Sequence, residues 1–183
     1  MPSTTDANAR WPDVLSRRLR AHHRTRDVAV LNEAISGNRV LNDFIGPNAG
    51  RRIDRDVLTQ GGLTYVVLLL GTNDLGFSQL APGTFPGVSL ANVSAAEIIS
   101  GYEQIILRAH QAGARIYGAT VLPFEGAGYH DAAVEPKRAA LNPLHPDEWG
   151  VRRRRRLRRG DARPGAPDAH ARRVRQRRSP ASQ

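Results

Sequence analysis

Two short polar segments hold the residues best suited to chemistry. Ser36-Gly37-Asn38 lies beyond the apolar run Val28–Leu31, and Gly71-Thr72-Asn73-Asp74 lies directly beyond Leu63–Leu70. A glycine N–H and an asparagine carboxamide that converge on one point make an oxyanion hole. Such donors stabilise the negative oxygen that develops when an ester carbonyl is attacked, and losing one raises the barrier by about 3–4 kcal/mol. Taken singly, each segment has a plainer reading. A glycine after a strand is a turn, and Asn73 can cap the segment that follows it. Taken together, in order and each behind a strand, Gly37 and Asn73 point to an anion site.

The elements that must position these residues follow from local pattern. Tyr65–Leu70 is a continuous apolar run between Gly61-Gly62 and Gly71, which predicts a central parallel strand covered on both faces. Val28–Leu31 predicts a second, shorter buried strand, and Arg115–Leu122 a third that ends at Pro123. Trp11, Leu15 and Leu19 recur at helical spacing behind Pro12, predicting a helix to about Arg20. A helix is expected over Ile53–Thr59. Ser94 with Glu97 forms a capping box for a helix running to His110, with Ile98, Tyr102, Ile105, Ile106 and Ala109 as its buried stripe and Gly113 as its end. Ala81–Asn92, rich in Pro and Gly, reads as a surface loop. Strand, helix, strand, helix, strand implies an α/β domain with a parallel sheet and right-handed crossovers. Ligands in such sheets bind beyond the carboxyl ends of the strands, where Asn73 falls.

These residues resemble the SGNH hydrolases, the GDSL family of esterases and lipases. Asn32-Glu33-Ala34-Ile35-Ser36-Gly37-Asn38 is similar to the family's second block, and Gly71-Thr72-Asn73-Asp74 to its third. The flanks Trp11-Pro12-Asp13-Val14-Leu15 and Leu122-Pro123-Phe124-Glu125-Gly126 also fit, and the resemblance covers roughly Thr5 to Asn142. It implies a three-layer, flavodoxin-like α/β/α fold, a small ester as substrate, no metal or organic cofactor, and Gly37 and Asn73 as oxyanion donors beside a serine nucleophile and a histidine base.

The sequence departs from the family pattern in two places. No Gly-Asp-Ser occurs anywhere, so the resemblance assigns no nucleophile, and a domain cut short at its start is expected. The family's Asp-x-x-His-Pro has only a look-alike in Asn142-Pro143-Leu144-His145-Pro146, with Asn in place of the acid. Asn there does not stabilise an imidazolium, and in a serine protease that exchange costs about 10⁴ in rate. His145 is thus a weak stand-in for the base. Arginine runs in GC-rich genes are CGN repeats, which read one base later become Val, Ala, Asp or Gly codons. With suitable codons, removing one base after Asn142 gives an apolar strand followed by Asp-x-x-His-Pro. An extra base near codon 142 is therefore expected in the gene. The chain then divides into residues 1–142, a partial esterase domain incomplete at both ends, and 143–183, an Arg-rich tail expected to be disordered.

Charge follows the same division. Of the formal +10, residues 151–183 supply thirteen arginines against Asp161 and Asp168, which leaves residues 1–150 at −1. The tail, including Arg152–Arg156, is the basis of a rival reading: a non-catalytic module whose basic arm binds nucleic acid or an anionic surface. No aromatic residue interleaves the arginines, so the expected affinity for polyanions is non-specific and salt-sensitive. The chain has no cysteine, which excludes disulfides and thiolate metal sites and leaves the compartment undecided. The segment from Met1 has no basic or apolar region of a signal peptide, and no apolar run is long enough to span a bilayer. His22-His23 reads as solvent-facing, His110 as a partner of its helix dipole, and His130 with Asp131, after a Gly-rich loop, as a plain loop, with the lining of a substrate cleft as the alternative. No metal-ligand spacing stands out.

Overall fold

The structure, a computed structural model, describes residues 4, 6–81, 84–85, 90–128 and 130–142. Its elements are α1 (Trp11–Ala21), α2 (Ala49–Arg52) continuing as a π-helical segment Ile53–Leu58, β1 (Tyr65–Leu68), α3 (Thr72–Phe77), α4 (Ala95–Gln111), β2 (Arg115–Gly118) and α5 (Val134–Leu141). His145 and the arginine run lie outside the described residues. Among the described residues, no helix is long and apolar enough to cross a membrane.

Helix α4 forms for the local reasons its sequence supplies. The Ser94 Oγ accepts from the Glu97 N–H at 3.2 Å, and the Glu97 carboxylate accepts from the Ser94 N–H at 2.8 Å. This reciprocal pair satisfies two donors that a helix start otherwise leaves open. Ile98, Tyr102, Ile105, Ile106 and Ala109 are all buried, as the periodicity predicts. Gly113, in the left-handed region at φ +77°, ends the helix and donates its N–H to the His110 carbonyl.

The described sheet has two strands, β1 and β2, paired in parallel with Tyr65 opposite Arg115 and Leu68 opposite Gly118. The Arg115 N–H to Thr64 carbonyl and Ala119 N–H to Leu68 carbonyl bonds, both 2.9 Å, extend the ladder. Val66, Leu68 and Ile116 point into the core, where they join the buried stripe of α4, Ile53, Leu75 and Val121. Burying a side chain such as Ile116 is worth about 1.5–3 kcal/mol.

Several expectations are corrected here. Tyr65, Val67 and Leu69 are 50%, 45% and 47% exposed, so the apolar run is covered on one face only among the described residues. A continuous run does not record whether a second layer reaches its strand. Val28–Leu31 forms no strand. It joins no ladder, and Leu31 is 61% exposed. The helix expected from Ile53 starts earlier, at Ala49, where the Asn48 side chain accepts from the Arg51 N–H at 3.0 Å and caps it. The third strand stops at Gly118, short of Leu122.

Candidate functional site

The two motif segments meet beyond the carboxyl end of β1. Gly71 stands at the N-cap of α3 with φ +104°, a left-handed conformation that favours glycine. A Cβ there would lie 2.4 Å from the Tyr102 hydroxyl, which itself donates to the Leu70 carbonyl at 3.0 Å. This turn sends the chain directly into α3 and places Asn73 at the second residue of the helix. Asn73 does not cap α3. Its Nδ2 reaches across to donate to the Asn38 carbonyl at 2.9 Å.

The segment bearing Gly37 is held from several sides. Gly37 turns in the left-handed region at φ +70°. Asn38, buried, donates from Nδ2 to the Pro47 carbonyl at 2.9 Å and accepts at Oδ1 from the Arg52 guanidinium at 3.0 Å. Arg52 also donates to the Glu33 carbonyl at 2.7 Å and pairs with Asp56 at 2.7 Å. One arginine on α2 therefore fixes the approach to Gly37 on both sides. Among the described residues, no acceptor takes the Gly37 N–H.

Asp74 completes the connection. Its side chain is wholly buried, and its carboxylate accepts from the Val40 N–H at 2.9 and 3.0 Å and from the Leu41 N–H at 3.3 Å. Burial pushes its pKa above the ordinary range. The two N–H donors and the nearby Arg39 charge pull it down, but burial outweighs them. Desolvation likewise lowers the pKa of Arg39, opposed by Asp74. Burial, with Asp74 nearby, also pushes the Tyr102 hydroxyl up. Neighbouring residues thus have separate contacts: Asn73 ties down the carbonyl just past Gly37, and Asp74 ties down the next two amides.

Of the sequence-predicted residues, Gly37 and Asn73 are brought together through Asn38. His145 lies outside the described residues. Asn142, the first residue of the look-alike segment Asn142-Pro143-Leu144-His145-Pro146, binds elsewhere in the fold. Its Oδ1 accepts from the Val121 N–H at 2.9 Å and its Nδ2 donates to the Val121 carbonyl at 3.1 Å, much as a neighbouring peptide group would. Arg52, Asp74 and Tyr102 were not foreseen as supports of the site. Asp74 carried a signal, being adjacent to Asn73 in a strand-end turn. Arg52 and Tyr102 act from distant elements and carried none.

The arrangement offers a backbone N–H at Gly37 with no acceptor among the described residues and, on the first turn of α3, a carboxamide with a second N–H. A sequence model of the GDSL-like lipase/acylhydrolase family matches residues 2–148. No curated protein matches the chain.

Proposed function

The chain belongs to the GDSL-like lipase/acylhydrolase family, and from that premise we propose that Gly37 and Asn73 form the oxyanion hole of an ester-hydrolase site. The family acts on ester substrates and has an SGNH, flavodoxin-like α/β fold. A three-layer sandwich is the arrangement we infer for the complete domain. The observation that carries the site assignment is the 2.9 Å bond from Asn73 Nδ2 to the Asn38 carbonyl, which joins the first turn of α3 to the Gly37 segment, while the Gly37 N–H has no acceptor among the described residues. Donors fixed before the reaction stabilise a developing charge without reorganising.

This chain holds an oxyanion but does not generate one. It contains no Gly-Asp-Ser, and the side chain of Asn142 is engaged with Val121. The family match runs to residue 148 and stops before the arginine run. Removing the serine or histidine of a serine hydrolase costs about 10⁶ in kcat. The 183-residue chain is therefore expected to hydrolyse p-nitrophenyl acetate no faster than a protein blank. Saturable turnover that disappears in Asn73→Ala would contradict the proposed inactivity.

A further inference from the structure

The segment after β2 and the first turn of α5 bring together three side chains that the sequence keeps apart. Glu125, His130 and Glu135 each present one ligand atom, and these atoms lie within 4.8 Å of one another. The His130 Nε2 is shut off from solvent and has no hydrogen-bond partner among the described residues. A buried polar atom left unpaired costs about 1–3 kcal/mol. Its ring is held edge-on to Phe124, with centroids 5.5 Å apart, and its backbone N–H is tied to the Ala127 carbonyl at 2.9 Å.

We propose that Glu125, His130 and Glu135 bind one divalent metal ion of the borderline class, with Zn²⁺ as its representative. Imidazole and carboxylate ligands suit that ion, and a chain without cysteine has no softer set to offer. Zinc bonds to such ligands are about 2.0–2.2 Å, so the three atoms must draw closer by about 1 Å. Glu125 is exposed, on a turn, and is free to make that movement.

The surroundings suit a cation. Arg138 grips Glu135 through Nε at 2.7 Å and Nη2 at 2.5 Å, and its Nη1 donates to the Val121 carbonyl at 2.8 Å. Each carboxylate oxygen keeps a lone pair beyond the one Arg138 takes. Ligating carboxylates are commonly hydrogen-bonded in this way, with Arg138 as the outer partner of Glu135 here. Two carboxylates face a single guanidinium, so the carboxylates outnumber the permanent positive charge by one. Asp131 does not compete, because its carboxylate accepts from the Ala133 N–H at 2.8 Å at the start of α5.

Calorimetric titration of the full chain with Zn²⁺ tests the site. One equivalent is expected to bind. Glu125→Gln and His130→Gln should each weaken binding at least about tenfold, and changing both His22 and His23 to Ala should leave it intact. Glu125→Gln alters an exposed side chain outside the core, so its folding is secure and its result decides. Two results would overturn the site: no Zn²⁺ binding, or binding undiminished in Glu125→Gln, which puts the ion on surface histidines.

Discussion

Asn73 and Asp74 are neighbours with opposite electrostatic tasks. Asn73 offers N–H donors at no cost in charge, and one of them is fixed on the Asn38 carbonyl. Asp74 brings a carboxylate into the interior and spreads it over the Val40 and Leu41 amides. Its consequence for pH dependence can be worked out. Unfolded, the carboxyl titrates near its ordinary 3.8; folded, burial raises that value. The folded chain therefore keeps the proton over a pH range in which the unfolded chain releases it. The burial penalty is absent below the ordinary value and grows as pH climbs through the folded one, so this residue's contribution to stability falls across that window. Asp74→Asn removes the titration. Urea unfolding of both proteins over a pH series should show the wild-type stability, relative to Asp74→Asn, declining as pH rises. A difference that increases with pH would contradict the assignment. Asp74→Ala leaves two backbone amides without their acceptor, at about 1–3 kcal/mol each, and should destabilise more than Asp74→Asn at every pH.

At the scale of elements, the turn between β1 and α3 is the stiffest link in the site. Gly71→Ala imposes a left-handed conformation on a side-chain-bearing residue and drives its Cβ to 2.4 Å from the Tyr102 hydroxyl, which is anchored on Leu70. Strain of that kind is about 1–3 kcal/mol, before the loss of the tyrosine hydrogen bond. Gly37→Ala meets a different obstacle. The near atom is Ile45 Cδ1, also at 2.4 Å, but Ile45 is 61% exposed and can swing away. The backbone cost of about 1–2 kcal/mol then dominates, with a tight 3.3 Å contact to the Ile45 Cβ beside it. Thermal unfolding should rank Gly71→Ala below Gly37→Ala, and the reverse order would show that Tyr102 yields. The elements also show why some of the fold was legible and some was not. Helix α4 was readable from cap to terminator because its signals are all within or beside it. Strands β1 and β2 were readable because a short apolar run bounded by glycine or proline has few alternatives. Val28–Leu31 has the same composition, yet a strand exists only through a partner, and local composition does not name one. That one face of β1 is left uncovered by the described residues was hidden for a related reason: the run shows that both sides are apolar, not that both are covered. For the site, Asn73 was legible as a residue just past a strand, and Gly37 as part of the segment Ser36-Gly37-Asn38, although the strand expected before it does not form. Arg52 and Tyr102, which hold them, are ordinary residues on α2 and α4 until the fold brings them near.

For the whole molecule, charge and site chemistry belong to different parts of the sequence. Residues 1–150 are nearly neutral, and the excess of positive charge sits in residues 151–183. A chain so divided should bind duplex DNA through counterion release alone, with an affinity that falls steeply as salt increases and with no sequence preference. Fluorescence anisotropy with unrelated duplexes over a salt series checks this, and sequence-selective binding that survives high salt would favour an evolved nucleic-acid function. The same arginines set the control for the decisive test of the proposed oxyanion hole, since any anion will also visit them. In a ¹H–¹⁵N NMR titration of the labelled chain with ethylphosphonate, the Gly37 amide and the Asn73 side-chain amide should shift together along one binding curve. In Asn73→Ala the Gly37 response should fade while the arginine signals respond as before. Gly37 and Asn73 resonances that stay still, or that follow separate curves, would contradict a shared anion site.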